Sequence, residues 1–146
     1  MKIVMDRCEV DQNKQSCISS VQNRNEKTAI MIIEDDSIIR MLLCSMVKLH
    51  HPDIQVIECI NGADAYSKMN EAVNLIFTDN NMPILSGLEF IRKIKSESIY
   101  QNIPVVMVSV EAREEYIFLG NKLGLAGWIV KPFILSQIDE YLNRYV

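Results

Sequence analysis

Long apolar runs, excess positive charge and metal-ligating thiols or imidazoles are all scarce in this sequence. No stretch approaches the ~18 consecutive apolar residues of a membrane-spanning helix, and the apolar runs, such as Pro104–Val108, are strand-sized. The first residues, Met1-Lys-Ile-Val-Met-Asp, lack the apolar core of about 7–15 residues that marks a signal peptide. Membrane insertion is therefore not expected, and the chain is expected to be cytoplasmic. Four cysteines (Cys8, Cys17, Cys44, Cys59) and two histidines fit no zinc-site spacing. The thiols are expected to be reduced, with Cys44 and Cys59 packing as small hydrophobes. Acids outnumber Lys and Arg by 19 to 15, which leaves no excess of positive charge for a direct nucleic-acid binder. Neither G-x-x-x-x-G-K-S/T nor G-x-G-x-x-G is present, so the usual nucleotide-phosphate loops are excluded.

What remains is an ordinary globular composition. A hydrophobic fraction of 49% and a charged fraction of 23% suit one packed core. A length of 146 residues matches one domain, with no second DNA-binding or catalytic half expected. Residues 1–27 are polar and aperiodic and read as a flexible N-terminal arm; regular patterning begins at Thr28.

From there apolar runs alternate with helical spacing. The strands are expected at Ala29–Ile33, Ile54–Cys59, Leu75–Thr78, Val105–Ser109 and Leu125–Val130. The first helix is expected over Ser37–Leu49, with Ser37 as N-cap and an apolar pattern through Ile38, Met41, Leu42, Cys44, Ser45 and Met46. Asn61-Gly62 signals a turn before a weak helix over Ala63–Glu71. Leu88, Phe90, Ile91 and Ile94 predict a helix ending near Ser96. Two more are predicted over Arg113–Lys122 and along the stripe from Ile134 to Tyr145. Near-continuous apolar strands are buried on both faces, so the fold class is α/β: a doubly wound, five-stranded parallel sheet with helices on each side. Such a sheet carries its site beyond the carboxyl ends of the strands.

Those ends carry the chemistry. The first strand runs into Glu34-Asp35-Asp36, the third into Asp79, the fourth ends at Ser109 and the fifth runs into Lys131. Singly, each has an ordinary reading as helix start, turn, cap or surface charge. Together they converge on one rim. Clustered carboxylates repel unless a cation joins them, and hard oxygen donors suit Mg²⁺. A lysine and a hydroxyl beside the metal suit a phosphoryl group in line with a carboxylate nucleophile.

The stretches MIIEDDSIIR (31–40), LIFTDNNMPILSGLEFI (75–91), IPVVMVSVEA (103–112) and GWIVKPF (127–133) resemble the receiver domain of two-component response regulators, particularly the stand-alone chemotaxis type. The resemblance covers about residues 28–146 and implies a flavodoxin-like (βα)5 three-layer sandwich. By resemblance, Asp79 accepts a phosphoryl group from a histidine kinase or phosphotransfer protein. Asp35 binds Mg²⁺ (or Mn²⁺) directly, Glu34 does so through water, Asn81 offers its backbone carbonyl, and Asp36 is a helix-start residue. Lys131 contacts the phosphoryl group. Ser109 and Trp128 form the switch, and the surface of the fourth helix, fifth strand and fifth helix is the readout for an unknown downstream protein. The resemblance thus implies a phosphoacceptor signalling domain rather than an enzyme. A phosphorelay intermediate and an interaction-only receiver are the alternatives.

Two positions depart from the usual pattern. Val110 stands where a small residue is common and is expected to narrow access to Asp79 for small phosphodonors. Trp128 replaces the usual tyrosine or phenylalanine; it either turns inward on activation or is a fixed, partly exposed anchor. Asn81 and Glu111 flank the site as in chemotaxis-type regulators, which implies a short-lived phospho-aspartate. An aspartate-nucleophile phosphatase of the haloacid dehalogenase type would need a proton-transferring acid two residues after Asp79, where Asn81 stands.

Overall fold

A computed structural model describes residues 28–146. The sequence reading of residues 1–27, with Cys8 and Cys17, lies outside the described residues. Five strands alternate with five helices. They are β1 (Ala29–Ile33), α1 (Ser37–His50), β2 (Gln55–Cys59), α2 (Gly62–Lys68), β3 (Val73–Thr78), α3 (Gly87–Lys95), β4 (Val105–Ser109), α4 (Glu114–Lys122), β5 (Gly127–Val130) and α5 (Leu135–Tyr145).

The strands form one parallel sheet in the order β2-β1-β3-β4-β5. β1 and β4 are buried throughout, and β3 at every residue but Asn74, because helices cover both faces. One core layer joins Ile30, Ile32, Leu75, Phe77, Val106 and Val108 to Leu43 and Val47 of α1 and to Ile138 and Leu142 of α5. The opposite layer joins Met31, Ile33, Ile76, Val105 and Met107 to Ala65 of α2 and to Leu88, Phe90, Ile91 and Ile94 of α3. Strand order reverses between β1 and β3, so their carboxyl ends make the crevice at the switch point.

Local chemistry corrects several expected boundaries. Asp36, not Ser37, caps α1: its Oδ1 accepts from the Ile38 and Ile39 amides at 2.8 and 3.1 Å. A carboxylate there satisfies two orphan amides and meets the positive end of the helix dipole. Asn61 is likewise a cap, accepting from the Asp64 amide at 2.8 Å, so α2 starts at Gly62. α2 stops at Lys68 because Met69 is extended, with ψ 136°.

The apolar pattern of α1 does not all face the sheet. Ile38, Met41 and Leu42 are exposed, whereas Leu43 and Val47 are buried. α1 is apolar on two sides, and periodicity does not say which side meets a sheet. β5 begins at Gly127, two residues later than expected, and Leu125 packs beneath α4 instead.

Candidate functional site

The rim is assembled by the strand ends. β1 delivers Glu34 and Asp35, β3 delivers Asp79, β4 ends at Ser109 and β5 leads into Lys131. Glu34, Asp35 and Asp79 place carboxylate oxygens within 4.8 Å of one another. Glu34 and Asp79 are buried, and Asp35 is exposed at the mouth. Lys131 Nζ donates to Glu34 Oε2 at 2.6 Å and lies 3.5 Å from Asp79 Oδ2. With all four groups ionised, three negative charges and one positive leave a net −2, which a divalent cation neutralises. The all-oxygen donor set fits Mg²⁺, with Asp35, Asp79 and the Asn81 carbonyl as its candidate holders.

Burial pushes the Glu34 carboxyl above its usual range, while the Lys131 ammonium and the Asp36 amide pull it back. Arg40 Nη1 donates to the Glu34 carbonyl at 2.7 Å and so holds that residue's backbone from α1. The Asn80 amide donates to Asp79 Oδ1 at 2.7 Å, which fixes one carboxylate oxygen and leaves Oδ2 facing Lys131.

Three groups hold the Asp79 loop in place. Thr78 Oγ1 donates to the Asp79 carbonyl at 2.8 Å. Asn80 Oδ1 accepts the Leu88 amide and the Asn80 carbonyl accepts the Gly87 amide, both at 3.1 Å. Gly87 is needed there, because a Cβ would lie 2.1 Å from the Asp79 carbonyl oxygen. Thr78, Asn80 and Arg40 were not singled out by sequence reasoning. The one available signal was the polar pair Thr78 and Asn80 on either side of Asp79, at the end of an apolar strand.

Ser109 is fully buried, and its Oγ accepts from the Glu111 amide at 3.3 Å. Trp128 Nε1 donates to the Glu111 carbonyl at 3.1 Å. Glu111 is thus bonded through its two backbone groups to both expected switch residues. The indole is half-buried against α4, where Gly120 leaves it room. Asp36 caps α1 and lies outside the carboxylate cluster. Val110 is 67% exposed and lines a groove of about 300 Å³ with Ile39, Leu42, Lys131, Pro132 and Phe133, beside the mouth. Glu34, Asp35, Asp79 and Lys131 thus share one rim; Ser109 ends the neighbouring strand and is linked to Trp128 through Glu111, and Asn81 is exposed two residues after Asp79.

Comparison with known proteins identifies the family and the fold. The family model described as the response regulator receiver domain matches residues 30–143. A chemotaxis protein CheY homolog of Campylobacter jejuni is 32% identical over 117 residues, covering 78% of this chain and 88% of the relative. Helicobacter pylori chemotaxis protein CheY1 is 29% identical, with 78% and 93% covered. Among solved structures, Vibrio cholerae chemotaxis protein CheY4 superposes with a TM-score of 0.72 at 28% identity, covering 82% of this chain and 98% of that one. The phosphorylated cyanobacterial phytochrome response regulator RcpA superposes at 0.67 with 26% identity, covering 80% and 89%. With the family model matched across nearly the whole described chain and the acids, hydroxyl and lysine gathered on one rim, this chain belongs to the response regulator receiver domain family.

Proposed function

We propose that this protein is a cytoplasmic single-domain response regulator. It accepts a phosphoryl group on Asp79 from the phosphohistidine of a histidine kinase or phosphotransfer protein. The reading is carried by the three carboxylates within 4.8 Å, with Lys131 between Glu34 and Asp79. In the transfer, Asp79 Oδ2 forms a bond to phosphorus as the phosphorus–nitrogen bond of the donor imidazole breaks. When bound, Mg²⁺ supplies charge neutralisation for the phosphoryl oxygens. Asp35, Asp79 and the Asn81 carbonyl would hold it, with Glu34 acting through water. Lys131 turns from Glu34 toward the incoming phosphoryl group. The chain acts as a phosphoacceptor rather than as an enzyme on a separate substrate.

Phosphorylation adds roughly −1.5 to −2 charges at a buried rim. Ser109 Oγ then rotates to donate to a phosphoryl oxygen and releases the Glu111 amide. Because the Glu111 carbonyl is bonded to the Trp128 indole, the motion passes from the site to β5 and α4. The face of α4, β5 and α5 changes for a downstream protein.

A second reading, onward transfer in a phosphorelay, is favoured by the apolar groove of Ile39, Leu42, Val110, Pro132 and Phe133. It flanks the mouth through which any phosphohistidine must approach, so donor and acceptor proteins would share it.

Intact mass with a phosphodonor and Mg²⁺ tests the reading. One added phosphoryl group is expected, absent in Asp79→Asn and dependent on Mg²⁺. Asp35→Ala should weaken Mg²⁺ binding at least tenfold, since removing even an outer-shell partner of a metal ligand typically costs about 10–100-fold. Phosphorylation retained in Asp79→Asn would refute the assignment.

A further inference from the structure

The exposed side of α1 is apolar along most of its length: Ile38, Met41, Leu42 and Leu49 are 71%, 62%, 46% and 65% exposed. These positions follow a spacing of three, one and seven residues, so they lie on one side of the helix while Leu43 and Val47 face the sheet. Ile38, Met41 and Leu42 adjoin one another, with Leu49 two turns further along beyond exposed Ser45, and together they exceed the scattered exposure ordinary for a soluble surface. The stripe starts at the mouth of the site and ends at the foot of α1.

The chain itself supplies an occupant. Thr28, where the described residues begin, borders a cavity with His50, His51 and Pro52, so the preceding 27 residues leave the domain at the foot of α1. Those residues contain one run of three large apolar side chains, Ile3-Val4-Met5. Lys2 on one side of that run and Asp6-Arg7 on the other give residues 2–7 one net positive charge, and exposed Asp35 and the capping Asp36 stand at the start of α1, at the far end of the stripe. The 22 residues between Met5 and Thr28 span at most about 75–80 Å when extended. The 14-residue α1 is only about 21 Å long, so the run reaches any point on the stripe. A tethered segment meets its surface at a high effective concentration, so a short apolar contact suffices.

We propose that Ile3-Val4-Met5 docks on the exposed apolar stripe of α1, beside the mouth of the Asp79 site. The docked segment covers Ile38, Met41 and Leu42. If Asp79 is the phosphoacceptor, the segment also competes with donor proteins for that face; only this consequence rests on the functional reading above.

The test uses the full chain without any phosphodonor, so its failure is separable from failure of the phosphoacceptor reading. Backbone amide NMR spectra are compared between the unaltered chain and the triple variant Ile3→Asp, Val4→Asp, Met5→Asp. A nitroxide on Cys8 of a chain carrying Cys17→Ser and Cys44→Ala, the latter because half-buried Cys44 lies on α1 itself, reports proximity. The expected result is shifted α1 amides in the triple variant, several-fold faster peroxide oxidation of Met41, and broadening of residues 38–42 by the nitroxide. α1 signals unmoved by the triple variant and independent of concentration would overturn the proposal, because the stripe would then be bare. Signals that move with protein concentration but not with the arm substitutions would also overturn it, assigning the stripe to a second copy. The substitutions leave residues 28–146 unaltered, and unchanged amide shifts in the sheet verify that the fold is kept.

Discussion

α3 and α4 are both nine residues long, lie on the same side of the sheet and follow strands that deliver functional residues, yet they are held very differently. α3 opens with a full capping box, in which Ser86 accepts the Glu89 amide and Glu89 accepts the Ser86 amide. It buries Gly87, Leu88, Phe90, Ile91 and Ile94. α4 opens at Arg113 with no side-chain cap, and Gly120 is its one buried residue. In the proposed function the strand before α3 supplies Asp79, the fixed phosphoacceptor, and the strand before α4 supplies Ser109, the hydroxyl that moves. Dense burial and a complete cap suit a fixed scaffold, whereas sparse burial and an uncapped start place α4 among the elements that open most readily.

The largest expected difference comes from adding one methyl group to each helix. In Gly87→Ala the new Cβ meets the Asp79 carbonyl oxygen at 2.1 Å and Asn80 Cα at 3.0 Å, both backbone atoms in a pinned loop. A loss of roughly 3 kcal/mol or more is expected by urea unfolding. In Gly120→Ala the nearest atom is Leu125 Cδ1 at 2.5 Å, the end of a flexible side chain. Relief of that contact is offset by the roughly 1 kcal/mol that alanine gains over glycine in a helix, so the net change should stay within about 1 kcal/mol. Equal losses at the two sites would erase the distinction between the helices.

A smaller effect separates their caps. Ser86→Ala should cost about 1 kcal/mol and speed amide exchange in the first turn of α3. Arg113→Ser supplies the cap that α4 lacks, at the expense of surface ion pairs with Glu111 and Glu115 that are worth ~0–1 kcal/mol each. A net gain of roughly 0.5 kcal/mol is expected, with slower exchange confined to α4.

The smallest effect near neutral pH concerns Cys59, buried in the same core layer as α3. Burial pushes its thiol up to about 12 from an ordinary value near 9.0. The folded chain therefore keeps the proton where the unfolded chain has lost it. This contribution to stability is complete below about pH 9 and is lost as pH rises from there toward about 12. Alkylation of Cys59 should be slow at pH 8 and become measurable only when the α3 side of the sheet opens. Rapid alkylation of the native chain would show the packing of α3 to be as loose as that of α4.

Much of this architecture was legible in the linear pattern. The core strands could be read because burial on both faces demands unbroken apolar runs, as in Ala29–Ile33 and Val105–Ser109. Boundaries near caps were not: Asp36 and Asn61 look like loop residues until their oxygens are seen to accept helix amides. The side groups that hold Asp79, namely Thr78, Asn80 and Arg40, are common polar residues whose roles depend on partners distant in sequence or on loop geometry.

The sequence by itself determined the alternation of strands and helices and the placing of Glu34, Asp79, Ser109 and Lys131 at the ends of strands, because both follow from local periodicity. Tertiary structure alone decided which side of the doubly apolar α1 meets the sheet, that Lys131 lies nearer Glu34 than Asp79, and that Glu111 links Ser109 to Trp128. These outcomes depend on contacts between elements, which a one-dimensional pattern of apolar and polar residues does not encode.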